Sequence, residues 1–194
     1  PSPLEDPAVE IVSTLFPSDK DQITVDNKLY NVASLAADTN YLKIVPIPIL
    51  KTSRNKLLEN PQDAIISEDL SRLVFGKEDP IGQQITTSMG KIVTVVAVMG
   101  KPDTRFSMPF DLLISNESAN YRKYSMPHSL VKLHKGHSAA SVNKEYEAFR
   151  KMSNFTNRLR ICFYPLQKLY FDQQVVTYLD KRLVGNYTHV LILI

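Results

Sequence analysis

Cysteine is nearly absent from these 194 residues, with Cys162 standing alone. A single thiol excludes an internal disulfide framework and any cysteine-rich zinc site. Its setting in an apolar, strand-like stretch points to an inert buried thiol rather than a nucleophile. Charge of one sign is also scarce. The 23 Lys and Arg exceed the 20 Asp and Glu by only 3, and the basic residues are scattered. A nucleic-acid partner, which a basic stripe would mark, is therefore disfavoured. No uncharged apolar run approaches the about 20 residues needed to cross a bilayer. The opening ten residues carry acids and prolines and have no apolar centre, so they do not read as a signal peptide. The chain starts at Pro1 and stops inside the apolar run Val190-Leu191-Ile192-Leu193-Ile194, so both ends read as cuts.

Catalytic signatures are missing too. There is no Gly-x-Ser-x-Gly elbow, no phosphate-cradling glycine loop and no His-Glu-x-x-His. What remains is ordinary globular composition, 43% hydrophobic and 22% charged. Runs such as Ile92–Met99 can offset the entropy of ordering, which argues against disorder.

Periodicity and turn chemistry give a mixed reading along the chain. Asp6 as a cap, Pro7 at a first helical position and Val9, Val12 and Phe16 at helical spacing predict a short helix stopped by Pro17. Residues 28–36 alternate like a strand. Pro46 and Pro48 restrict 44–50 to an extended edge segment. Residues 64–66 read as a buried strand, and Ser67 caps a helix from Glu68 to Phe75 that ends at Gly76. Leu70, Leu73 and Val74 are its expected apolar face. Asp79-Pro80-Ile81-Gly82 is turn chemistry, and 84–87 with 91–99 predict a hairpin across Ser88-Met89-Gly90. Residues 110–115 and 130–133 are further strands. Ser138 opens a helix with Val142, Tyr146, Phe149 and Met152 on one stripe, and a strand at 159–164 completes a strand–helix–strand unit.

Candidate chemical groups are few. His134 and His137 form the only close pair among His128, His134, His137 and His189, and Lys135 between them disfavours a cation. A metal would need further ligands and a second layer of partners, so a surface role is the better reading. Asp38, Asp103 and Asp111 lie near turns or strand ends, where carboxylates cap backbone N–H groups. Phe163, Tyr164, Tyr170 and Phe171 could line a ligand groove, but packing is the better reading of such large rings. No catalytic, cofactor-binding or metal-ligating residue is assigned, and no cofactor is expected.

One block is specific. Ile66-Ser67-Glu68, Phe75-Gly76 and Asp79-Pro80-Ile81-Gly82, leading into a hairpin, resemble the signature of the MacB-like periplasmic core domain of FtsX-type ABC transporter permeases, in its Bacteroidetes-like branch. Thr94-Val95-Val96-Ala97-Val98 resembles that family's second hairpin strand, with Ala97 where glycine is usual, so a bulge or close backbone approach there would be less easy. Ala37-Asp38-Thr39-Asn40-Tyr41-Leu42, Met108-Pro109-Phe110-Asp111, Tyr164-Pro165-Leu166 and Gly185-Asn186 resemble further elements. The likeness spans about residues 37 to 194.

The resemblance implies an α+β fold. A porter-like α/β subdomain, residues 1–55 and 128–194, would carry an inserted β-rich Sabre-like subdomain, residues 56–127. It implies a non-enzymatic extracytoplasmic domain in the inner membrane's permease, on the periplasmic side, with 190–194 beginning the second transmembrane helix. ATP-driven motion of transmembrane helices would be coupled to an extracytoplasmic partner or substrate. The implied partners are a cytoplasmic ABC ATPase, a membrane-fusion or other periplasmic protein, and a second permease copy in the full-length protein, with no nucleic acid. Two other readings stand beside it. One is a free-standing ligand- or lipid-binding module. The other is a hydrolase joining His134 or His137 to Asp38, Asp103 or Asp111.

Overall fold

A computed structural model describes residues 6–101, 110–117, 128–152, 162–165 and 190–193. The fold is mixed and sheet-dominated, with ten strands and three helices in the described residues. The chain divides into two compact units, residues 1–13 with 126–194, and residues 14–125.

The unit of residues 14–125 is built on a ring of strands. Strand β1 (Val9–Val25) turns back at Asp26 and Asn27 into β2 (Lys28–Ala37). Both turn residues have positive φ, 48° and 62°, the geometry of a tight two-residue hairpin and one that Asp and Asn tolerate. Strand β2 pairs parallel with β7 (Leu112–Ser115), and β7 pairs antiparallel with β4 (Asp63–Ser67). Next, β4 pairs parallel with β6 (Ile92–Met99), and β6 antiparallel with β5 (Gln84–Thr87). Finally β5 pairs with β1, so the ladder returns to its start. Alternate residues of all six strands, among them Ile23, Val32, Ile66, Ile85, Val93 and Ile114, meet in one buried cluster. That alternation places the cluster inside the ring. Leu35, Ile65 and Leu113, at the opposite positions, are buried as well. Central strands β2, β7 and β4 are therefore apolar on both faces, as parallel pairing usually demands.

Three short elements complete this unit. Helix α1 (Tyr41–Ile44) buries Tyr41 and Ile44. Strand β3 (Ile49–Thr52) adds to the far half of β6, following the extended, proline-bearing lead-in expected for 44–50. Helix α2 (Glu68–Phe75) inserts Leu70 into the ring's core.

In the other unit, β8 (His128–Leu133), β10 (Val190–Leu193) and β9 (Cys162–Pro165) pair in parallel, in that order. Helix α3 (Ala139–Met152) is the crossover from β8 to β9, so the expected strand–helix–strand unit forms with β10 laid between its strands. The opening of β1 lies beside β8: the His134 N–H donates to the Ala8 carbonyl at 2.9 Å and Lys132 pairs with Glu10 at 2.7 Å. Ala8, Val131, Val142 and Phe163 form its core.

Three expectations fail. Residues 9–17 are strand, not helix, and residues 7 and 8 form a turn before it. Asp6 does accept the Ala8 N–H at 2.8 Å, but it opens a turn into β1. The β-branched Val9, Ile11, Val12 and Thr14 suit a pleated strand, and the partner β2 decides the outcome. Pro17 fits because the β1–β2 register breaks just after it, between Ser18 and Asp21. Val190–Leu193, expected as helix, is a strand sandwiched between β8 and β9. Leu73 does not face the core and is 65% exposed. Tyr146, Phe149, Met152, Tyr170, Phe171, Asp103 and His189 lie outside the described side chains.

Candidate functional site

The specific sequence block builds one continuous element, from β4 through α2 and the turn after it into the β5–β6 hairpin. Ser67 is its node. Its Oγ accepts the Leu70 N–H at 3.0 Å and so caps the helix, while the hydroxyl donates to Asp111 Oδ1 at 3.0 Å. The Ser67 N–H donates to the Asp111 carbonyl at 2.7 Å. One side chain thus joins β4, α2 and the entry to β7. Glu68 and Asp69 in the first turn suit the helix dipole, and Glu68 also pairs with Arg72. These pairs are exposed and add little to stability. The Gly76 N–H returns to the Arg72 carbonyl at 3.1 Å, and φ of 63° at Gly76 ends the helix where a side chain would be strained.

The turn is pinned from both sides. Asp79 Oδ1 accepts the Ile81 N–H at 3.0 Å, and Oδ2 accepts from Lys51 at 2.7 Å. The Lys51 hydrogen bond, followed by that from Ile81, holds the Asp79 carboxyl below its usual range. The Gly82 N–H donates to the Val95 carbonyl at 2.8 Å, and the Val95 N–H donates to the Gln83 carbonyl at 2.9 Å. Ile81 packs on the ring's core. Helix, turn and ring are thus tied together by main-chain bonds and packing.

Strand β6 does carry a bulge beside Ala97: Ala64 faces Val95 and Ile65 faces Ala97, leaving Val96 as the extra residue. The Val96 carbonyl accepts the Ser53 N–H at 3.0 Å and the Thr52 hydroxyl at 3.2 Å, so the end of β3 takes up the group the bulge frees. A Cβ at Ala97 is accommodated with the residue fully buried.

The histidines and carboxylates fall into structural roles. Asp38 Oδ2 accepts the Thr14 N–H at 2.8 Å and Oδ1 the Asn40 N–H at 3.0 Å. Asp111 is engaged with Ser67. His134 and His137 are exposed in the turn after β8, linked by a main-chain bond of 3.2 Å. His128 is half-buried; its Nδ1 is closed off without a hydrogen-bond partner, and burial lowers its pKa from the ordinary 6.5. Phe163 is buried in the core of its unit. Burial also raises the Tyr41 hydroxyl, whose ring stacks edge-on against Phe110 at 6.1 Å. Among the described residues no group of three or more His, Cys, Asp or Glu side chains could hold a metal ion.

Sequence reasoning missed three polar anchors. Asp21, at the β1 irregularity, accepts hydrogen bonds from Ser34 Oγ (2.6 Å), Ser88 Oγ and the Gln22 N–H (2.8 Å). Asp63, only 1% exposed, pairs with Arg54 at 3.0 Å. Asn143 of α3 accepts the Phe163 N–H at 2.7 Å and donates to its carbonyl at 2.8 Å, covering the open edge of β9 like a strand. Nothing local marked these positions, since each stands beside another polar residue and the partners Ser34, Ser88, Arg54 and Phe163 are not sequence neighbours.

A closed strand ring with a helix inserted into its core and a parallel three-stranded sheet define a mixed, sheet-dominated α+β scaffold. Residues 3–149 match the MacB-like periplasmic core domain, and the chain belongs to that family. The fold is similar to a domain described as a permease's from Porphyromonas gingivalis (21% identity, TM-score 0.58, covering 76% of this chain and 72% of that one). It is similar to the periplasmic region of MacB from Actinobacillus actinomycetemcomitans (13%, TM-score 0.59, 78% and 71%). The extracellular domain of the noncanonical ABC-type transporter YknZ from Gram-positive bacteria is a further likeness (14%, TM-score 0.59, 78% and 80%). Comparison with curated proteins finds no match. No helix of the described residues is long and apolar enough to cross a membrane.

Proposed function

We propose that this chain is the non-catalytic coupling domain of an inner-membrane ABC permease, on the periplasmic side. The membership of residues 3–149 in the MacB-like periplasmic core domain carries this reading. ATP hydrolysis by a cytoplasmic ATPase moves transmembrane helices, and this domain passes the motion to an extracytoplasmic partner or substrate. Such a role needs stiff bodies and defined joints rather than an acid–base pair. The Ser67 node and the pinned Asp79–Gly82 turn make one such body from helix, turn and ring.

Co-purification tests it. The full-length permease is expected to bring down an ABC ATPase, and the isolated domain to bind no ATP in calorimetry. A permease that associates with no ATPase contradicts the reading.

The division into a porter-like part, residues 1–55 and 128–194, and a Sabre-like insert, residues 56–127, is proposed alongside it. Limited proteolysis distinguishes the boundaries. First cuts near 55/56 and 127/128 support it. A protected fragment running from about residue 14 to about 125 moves the boundary to the edges of the ring.

A further inference from the structure

The ring's six seams differ in how they are closed. Strands β1 and β2 are paired from Leu15 to Val25 and joined by the Asp26–Asn27 turn. Strands β5 and β6 are joined across the Ser88–Gly90 turn, where the Gly90 N–H returns to the Thr87 carbonyl at 2.8 Å. The seams β2–β7, β7–β4 and β4–β6 join strands buried on both faces. The seam between β1 and β5 has none of this support. Its ladder is Ile23 opposite Thr87 and Thr24 opposite Thr86, the shortest in the ring.

Its outer face is flanked by solvent, with Thr24 and Thr86 themselves half-buried. Leu29, Thr24, Thr86 and Ile92 follow one another across β2, β1, β5 and β6 as direct cross-strand partners. Partners of this kind share a face. Leu29 is 69% and Ile92 54% exposed, so little apolar burial holds the seam from outside. Local opening is cheapest where few apolar contacts are lost.

One side chain extends this seam beyond its ladder. In the antiparallel register Ser88 follows Thr87 past Ile23, toward Gln22 and Asp21. There its hydroxyl donates to Asp21, a carboxylate only 8% exposed. Asp21 is itself aimed by the Ser34 hydroxyl on β2 and by the Gln22 N–H. The bond therefore crosses from the β5–β6 turn to β1 while Asp21 stays anchored on the β1–β2 side.

We propose that the β1–β5 seam is the ring's single opening joint and that the Asp21–Ser88 hydrogen bond is its latch. When the latch parts, the ring opens there into a curved sheet while β2, β7, β4 and β6 keep their packing. This conformational device stands on the ring's own geometry and does not depend on the transport reading.

Hydrogen exchange of the isolated chain tests it. The Thr87 N–H donates to Lys91 on the β6 side, so strand alternation turns the Thr86 N–H toward β1 and that of its partner Thr24 toward β5. These two amides report the seam. In the wild-type chain they are expected to exchange faster than the ladder amides of β4 and β7. Ser88→Ala removes one hydroxyl from an exposed turn and should cost the two seam amides about ten-fold or more in protection, the effect of a lost bond to a charged group. Protection in β4 and β7 should stay unchanged, and Ser88→Thr should restore the seam. Seam amides as slow as those of β4, unaltered by Ser88→Ala, would overturn the proposal. So would a loss of protection shared equally around the ring.

Discussion

The Ser67 side chain joins three elements of the specific block at one point. It caps α2 and binds Asp111 through the same oxygen. Ser67→Ala is therefore expected to cost about 1–2 kcal/mol, the upper range for a lost cap, read as a lower urea midpoint with unchanged slope. Ser67→Thr keeps the oxygen and should recover most of it. His128 makes a second prediction. Burial lowers its pKa, so between that lowered value and the ordinary 6.5 the unfolded chain binds more protons than the folded one. Stability rises with pH in that window, and is lost as pH falls from about 6.5. Urea midpoints between pH 7.5 and 5 should fall more steeply for the wild type than for His128→Phe. The Asp79 carboxyl acts lower down. Its lowered pKa gives a stabilisation present above the ordinary 3.8 and lost as pH falls through the folded value, and exposure keeps it small.

Elements were legible where the signals are local. The Ser67 cap, the two acids after it, Gly76 and the Ser88–Gly90 turn each act within a few residues, so α2 and the β5–β6 hairpin could be read from the sequence. The first strand could not. Val9, Val12 and Phe16 fit a helical period as well as an alternating one, and only pairing with β2 decides between them. Val190–Leu193 is apolar enough for either structure, and the partners that make it a strand lie about 25 and 60 residues away, at 162–165 and 128–133. Within α2 the face was half right. Leu70→Ala is expected to cost about 2–5 kcal/mol, because it empties a place in the ring's core. Leu73→Ala on the exposed side should change stability by less than about 0.5 kcal/mol. Denaturant titration of the pair checks which face is buried.

For the whole molecule, the family was legible and the architecture only in outline. The block from Ile66 to Gly82 pointed to the MacB-like periplasmic core domain, and the match over 3–149 shows membership. Closure of the strand ring was not legible, because it depends on long-range register: Thr24 meets Thr86, and Ala36 meets Ile114. The anchors Asp21, Asp63 and Asn143 escaped for the same reason. Each is an ordinary polar residue until the fold brings a distant partner to it. The carboxylates were read as caps of backbone N–H groups, and Asp38 does accept those of Thr14 and Asn40, whereas the Asp111 carboxylate accepts the Ser67 hydroxyl instead.

The proposed coupling role requires this domain to change arrangement in response to nucleotide bound elsewhere. It is tested most directly by the distance between spin labels at the exposed Lys28 and Lys135, one in each compact unit, in the full-length permease reconstituted with its ATPase. The account predicts a distance distribution that shifts when ATP is added and returns after hydrolysis. A distribution identical with and without ATP, in a preparation that hydrolyses it, would contradict the account.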